Sequence, residues 1–219
     1  MTHRSAGRGG ASRGAAADAS PWKPSPERAR EREVKREAVI LAAARCFRER
    51  GYHQTSLDDI AARLNVTKPT IYYYVANKEE ILFECFRTGL DQITSVVPAL
   101  GKSRDSGRSR LLNLIRQYVE AVTSEFGWCM VRAEDQDLSP AMSERIRALK
   151  SQIDQCMRQL IRIGIEDGSI AACDPKMTAF ALAGALNWIG HWFRREDALT
   201  SLEIAERFIE LFANGLRPR

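Results

Sequence analysis

Between residues 55 and 78 the chain sets out Lys68, Thr70, Tyr72, Tyr73 and Tyr74 in one run of donors and aromatic rings, with no carboxylate among them. Side chains of these types hydrogen-bond phosphate oxygens and base edges, and they offer a polyanion nothing to repel it. The residues before this run are the ones that must position it. Leu57, Ile60, Ala61 and Leu64 fall at i, i+3, i+4 and i+7, which predicts a short helix with one apolar face. Thr55 or Ser56 caps its start, with Asp58 or Asp59 as the returning acid. Asn65 suits the left-handed residue that closes such a helix. Thr67 then caps a second short helix, and Pro69 sits in its first turn, where a missing N–H costs little. A helix N-terminus aimed at DNA also turns partial positive charge toward phosphates. Helix, tight turn and second helix form a helix-turn-helix head of the kind that lies in a DNA major groove. The plainer alternative is a pair of packed surface helices that bind nothing.

The flanking residues separate these readings. From Ile40 onward, ILAAARCFRERGYHQTSLDDIAARLNVTKPTIYYYVANKEEIL resembles the N-terminal domain of TetR-family transcriptional regulators. The resemblance rests on Ala44 and Phe47, Gly51, Thr55-Ser56, Ile60-Ala61, Val66, Thr70-Ile71-Tyr72 and Asn77-Lys78. Tyr74 departs from the pattern, since many members carry His there, so a phosphate contact at that position would come from a hydroxyl. The resemblance implies a homodimer that binds a palindromic operator in double-stranded DNA. It places Lys68 and Tyr73 against bases and Thr70, Tyr72, Tyr74 and Lys78 against phosphates. Thr55, Ser56, Thr67 and Pro69 complete the expected DNA-binding set. It also implies a small-molecule effector whose entry into the C-terminal domain changes the separation of the two reading heads.

Composition fits a nucleic-acid partner: the formal net charge of +5 favours a polyanion. Residues 1–26 are rich in Gly, Ala, Ser, Pro and Arg without an apolar period, which predicts a disordered basic tail carrying Arg4, Arg8, Arg13 and Lys23. The tail reads either as a solvated extension or as an arm that adds phosphate contacts. It lacks the apolar stretch of a secretory signal, so the expected location is cytoplasmic. The five cysteines, Cys46, Cys85, Cys129, Cys156 and Cys173, are scattered without a CxxC. They read as buried small hydrophobes in a reducing compartment rather than as a disulfide scaffold or a zinc site. No glycine-rich phosphate loop, HExxH or nucleophile elbow occurs, and the expectation is a protein that is not an enzyme, with no cofactor and no metal.

From Glu27 onward the periodicity is helical throughout, and the expected fold is all-α. A three-helix helix-turn-helix domain over 27–78 precedes a helical effector-binding and dimerisation domain over 79–219. Asn77, Lys78, Glu79 and Glu80 start a fourth helix that Pro98 stops. A sixth helix is expected from Trp128 to about Asp137. Near the C-terminus, KMTAFALAGALNWIGHWFRRE is apolar almost all round, so it needs two partners. Too short and too polar for a membrane span, with Asn187 and His191 inside it, it reads as one half of a dimer seam. The seam is assigned to Ala179, Ala183, Leu186, Gly190 and Phe193, with Leu202, Ala205, Ile209 and Phe212 from the last helix. Tyr118, Trp128, Met130, Asn187, Trp188 and His191 are the candidate effector residues, an aromatic set with a few polar groups. The C-terminal segment resembles family members that control lipid, steroid or aromatic-acid catabolism, some answering to acyl-CoA thioesters. That resemblance implies a repressor released by an apolar or acyl-CoA-type effector. The alternatives are a drug-efflux regulator answering to cationic lipophilic compounds, or a helical adaptor that binds no DNA.

Overall fold

A computed structural model describes residues 25–133, 135–194, 196 and 199–215. Among them the regular structure is helical and no strand occurs. In chain order the helices are α1 (Pro26–Arg50), α2 (Leu57–Arg63), α3 (Lys68–Tyr74), α4 (Lys78–Thr94) and α5 (Val97–Lys102). Then follow α6 (Gly107–Thr123), α7 (Gly127–Arg132), α8 (Pro140–Glu166), α9 (Pro175–Trp192) and α10 (Ser201–Asn214). The expected basic tail lies outside the described residues up to position 24. Its last two residues belong to α1: the Ser25 hydroxyl accepts from the Arg28 amide at 3.2 Å, and Pro26 is the first helical residue.

The first three helices close over Phe47, Ile60 and Ile71, each fully buried. From this head α4 runs into the second half of the molecule, where it packs on α6, α7 and α8. Two boundaries differ from the periodicity. α4 ends at Thr94, and Pro98 lies instead in the first turn of α5, where its missing N–H has no partner to lose. The expected sixth helix is split into α7 and a single 3-10 turn, Asp135–Asp137.

α6 meets α8 backbone to backbone. A Cβ added to Gly107 would stand 2.1 Å from the amide nitrogen of Gly164, so this approach needs glycine. Polar groups fasten the same corner. The Gly107 amide donates to Asp167 Oδ2 at 2.7 Å, and the Ser169 amide donates to Asp167 Oδ1 at 2.9 Å. The Ser169 side chain, followed by these two amides, holds the Asp167 carboxyl below the usual carboxylate range.

α9 corrects the seam expected from its sequence. Ala179 and Leu186 are buried within the chain's own core, as are Ala205 and Ile209 of α10. Ala183, Gly190 and Phe193 are half-buried. Gly190 permits α7 to approach, since a Cβ there would lie 3.1 Å from a methyl of Val131. The outward face of α9 carries Met177, Phe180, Trp188 and Trp192, all exposed, with Gly184 at its middle and nothing near it. Of the expected seam only Leu202 and Phe212, on α10, lie exposed. A helix apolar all round gives no hint which face its own chain covers, and here the chain's own core takes Ala179 and Leu186 from the face assigned to the partner. The cysteines divide as well: Cys46, Cys85 and Cys129 are buried, Cys156 is half-buried, and Cys173 is exposed rather than packed.

Candidate nucleic-acid interface and effector cavity

Local chemistry sets the reading head. Ser56, not Thr55, caps α2: its hydroxyl accepts from the Asp59 amide at 3.1 Å, and Asp59 Oδ2 accepts from the Ser56 amide at 2.8 Å. These Ser56 bonds, side chain first, keep the Asp59 carboxyl low. Thr55 is buried, and its hydroxyl donates to the Gly51 carbonyl at 2.8 Å, tying the end of α1 to the start of α2. It therefore presents no group outward. Asn65 takes the left-handed conformation, φ 54°, that turns the chain from α2 into α3.

On α3 the apolar Ile71 is buried against α1 and α2, and the opposite side faces out. Thr67, Lys68, Pro69, Tyr72 and Tyr73 are exposed together, Tyr73 at 64%. No acid lies on the helix. Lys68 Nζ holds Asp58 Oδ2 of α2 at 2.8 Å, an exposed ion pair that a base edge could replace at little cost. Thr67 makes no side-chain cap; its hydroxyl lies 3.0 Å from that of Thr70 instead. Tyr74 is half-buried against the core, its ring edge-on to Tyr73 at 5.0 Å.

Lys78 does not point outward. Its Nζ donates to the carbonyls of Tyr52 at 2.8 Å and Thr55 at 2.9 Å, and lies 4.2 Å from the centre of the Tyr52 ring. Burial lowers its pKa. The side chain is a strut between α4 and the loop before α2, which leaves one of its three N–H donors for the phosphate contact assigned to it by resemblance. Two residues absent from the expected set join the exposed face. Val66 is exposed in the turn, an apolar surface suited to a thymine methyl. Arg32, from the charged first half of α1, sits 5.3 Å over the Tyr73 ring. Nothing in linear spacing brings position 32 to position 73.

The six candidate effector residues separate. Tyr118, Met130 and Asn187 line one cavity of about 320 Å3 between α4, α6, α7, α8 and α9, together with Leu90, Met157 and Phe180. The Tyr118 hydroxyl donates to Asn187 Oδ1 at 2.9 Å. Burial pushes the Tyr118 phenol up to about 12, so it stays a neutral donor at every physiological pH. Trp128 lines a different cleft, beside Arg48, Gly190 and Phe193. Trp188 is exposed on the outer face of α9, and its ring stacks on His191 at 4.7 Å between centres. These last two therefore belong to the surface and not to the cavity.

Comparison with known proteins agrees with this geometry. Residues 39–85 match the family described as bacterial regulatory proteins, tetR family, and residues 104–216 match the tetracyclin repressor-like C-terminal domain. The chain is 28% identical, over 68% of its length and 78% of the relative's, to an uncharacterised helix-turn-helix transcriptional regulator, YhgD, of Bacillus subtilis. The crystal structure of the TetR-family regulator PfmR from Thermus thermophilus is similar at a TM-score of 0.76 and 26% identity, covering 82% of this chain and 99% of that one. The structure of AibR in complex with isovaleryl coenzyme A and operator DNA is similar at 0.71 and 27%, covering 81% and 97%. Fold and reading head together define a helix-turn-helix DNA-binding transcriptional regulator. With both its domains matched, the chain belongs to the TetR family.

Proposed function

We propose that this protein is a homodimeric, cytoplasmic transcriptional repressor that leaves a palindromic operator when a mostly apolar carboxylate or acyl-CoA-type effector enters the Tyr118–Asn187 cavity. The observation that carries the reading is α4, which belongs to both sites. Lys78 at its start is bonded to the head, and Leu90 near its end lines the cavity. Entry of a ligand at one end of this helix acts on the placement of the other. The volume lies at the small end of ligand sites, which suits a short apolar group. The structural relative with isovaleryl coenzyme A supports that class. A cationic lipophilic inducer is less well served: the carboxylate on the described lining, Asp154, is held by Arg158 at 2.7 Å.

Dimerisation is proposed through the exposed face of α9 together with the exposed Leu202 and Phe212 of α10. Two reading heads would then address half-sites about one helical turn apart. Among the described residues no helix is long and apolar enough to cross a membrane.

Operator sequences selected from genomic fragments provide the test. Lys68→Ala is expected to change preference among sequences, with a cost of about 1–3 kcal/mol confined to the base pair it reads. Equal losses on operator and random DNA would refute a base-reading role. For the cavity, Asn187→Leu leaves the buried Tyr118 hydroxyl without its acceptor, a cost of about 1–3 kcal/mol. Operator release by isovaleryl-CoA and longer acyl-CoA thioesters is then expected to need about tenfold more ligand, since tenfold corresponds to about 1.4 kcal/mol. Operator affinity without ligand is expected to stay within about twofold, a difference of about 0.4 kcal/mol. Release unchanged in both Asn187→Leu and Met130→Trp would place the effector elsewhere.

A further inference from the structure

A second and larger cavity, of about 710 Å3, opens on the flank of the C-terminal domain where α5, the first turn of α6 and the middle of α8 meet. It lies across α8 from the effector cavity: Gln152, Gln155 and Gln159 face it, whereas Ile153, Asp154 and Met157 face the other. Its described lining contains Arg110, Arg158 and Arg162 with those three glutamines, and no carboxylate. The half-buried Cys156 thiol adds no charge either, because burial raises its pKa. Such a wall is built of donors and cations.

Arg110 is the informative member. It is 8% exposed, and its Nε is buried with no hydrogen-bond partner among the described residues. Buried guanidinium donors are normally satisfied, because an unpaired one loses its water without replacement. Asp167 is near enough for its charge to be felt, but its oxygens accept from the Gly107 and Ser169 amides and not from Arg110 Nε. The other two arginines are only partly engaged. Arg158 holds Asp154 through Nε and Nη2, and Arg162 donates from Nη1 to Gln159 Oε1 at 3.1 Å. A guanidinium has five N–H donors, so Arg162 retains several for a ligand, whereas Arg158 turns its head to Asp154 and lies over the Phe180 ring at 5.1 Å. Oxyanions match that fork, and the apolar Val97, Pro98 and Leu160 would meet a ligand's carbon skeleton.

We propose that this cavity is a second ligand site, for a small oxyanion that seats its carboxylate or phosphate on Arg110 and its remaining polar groups on the α8 glutamines. It is separate from the apolar effector cavity and stands or falls independently of it.

Titration calorimetry on the full chain, at constant ionic strength, tests the site with inorganic pyrophosphate and succinate as probes. The expected result is saturable binding of at least one probe, with pyrophosphate alone marking a phosphate site and succinate alone a carboxylate site. Arg110→Gln should weaken that binding tenfold or more. Since Arg110→Gln alters a buried side chain, Arg162→Gln at the same wall is the companion variant, expected to weaken binding several-fold in a chain with unchanged circular dichroism. Asn187→Leu, in the other cavity, should bind the probe as the parent does. Saturable binding of neither probe overturns the site, as does binding that persists unchanged in Arg162→Gln and in folded Arg110→Gln.

Discussion

Replacing Trp188 by glutamate is expected to yield folded monomers that lose the operator. Trp188 is 63% exposed and stands beside Met177, Gly184 and Trp192 on a helix face that its own chain leaves uncovered. In the dimer proposed above, a second copy of the same face would bury this apolar surface. A carboxylate at its centre would lose its water without gaining a partner, at about 3–5 kcal/mol. That is enough to dissociate a dimer of nanomolar affinity into monomers at nanomolar to micromolar concentration, since each tenfold in affinity is about 1.4 kcal/mol. Sedimentation velocity at about 0.1 μM protein, below the raised dissociation constant, gives the direct reading, and fluorescence polarisation on the operator gives the functional one. The exposed indole contributes little to the chain's own fold, so circular dichroism should be unchanged. A Trp188→Glu protein that sediments as a dimer and holds the operator with parental affinity would remove α9 from the interface.

The second large effect is expected at Gly107. Alanine there places a methyl carbon 2.1 Å from the Gly164 nitrogen, and the obstacle is backbone, which has no rotamer to yield. α6 and α8 must separate, at about 3 kcal/mol by analogy with overpacked cores. For a chain of this size that corresponds to a fall in melting temperature of about 6–12 °C. Separation also lengthens the Gly107–Asp167 bond, which contributes to the low Asp167 pKa, so the variant should lose part of that stabilisation at pH 7 and its melting temperature should fall less than the parent's between pH 7 and pH 3. The sign follows from linkage: a carboxyl depressed in the folded state stabilises above its unfolded pKa and loses that contribution as pH falls through the folded value. Thermal melts at pH 7 and pH 3 measure both effects. A Gly107→Ala melting temperature within about 2 °C of the parent would show that the two helices part freely.

The reading head was legible because its determinants are local. Ser56 with Asp59, Asn65 and Pro69 act over three or four residues, and a four-residue window is enough to read them. Helix class was legible for the same reason, from the spacing of Leu57, Ile60 and Leu64. What failed was orientation between elements. Thr55 and Lys78 have the composition of DNA contacts, yet one closes onto the Gly51 carbonyl and the other onto Tyr52 and Thr55. In α9 the outward tryptophan and the inward alanines are both apolar, so hydrophobicity alone does not say which side faces its own core. The Arg110 wall is assembled from α6 and α8, more than forty positions apart, and no periodicity in either helix announces it.

The two anchors of α4 have a mechanical consequence. The helix holds 17 residues, which makes it a rod of about 25 Å. Its Lys78 end is clamped to two carbonyls of the head, so the head has no slack there and must follow the rod. With Leu90 as the fulcrum, about 18 Å along the helix from Lys78, a tilt of about 5° sweeps the clamped end through about 1.6 Å. Two subunits of the proposed dimer tilting in opposite senses would double that to about 3 Å, against a half-site spacing of about 34 Å. A displacement of that size exceeds the tolerance of a hydrogen bond, so under the proposed function a side-chain shift inside the cavity would be geared up into loss of groove register without any helix melting.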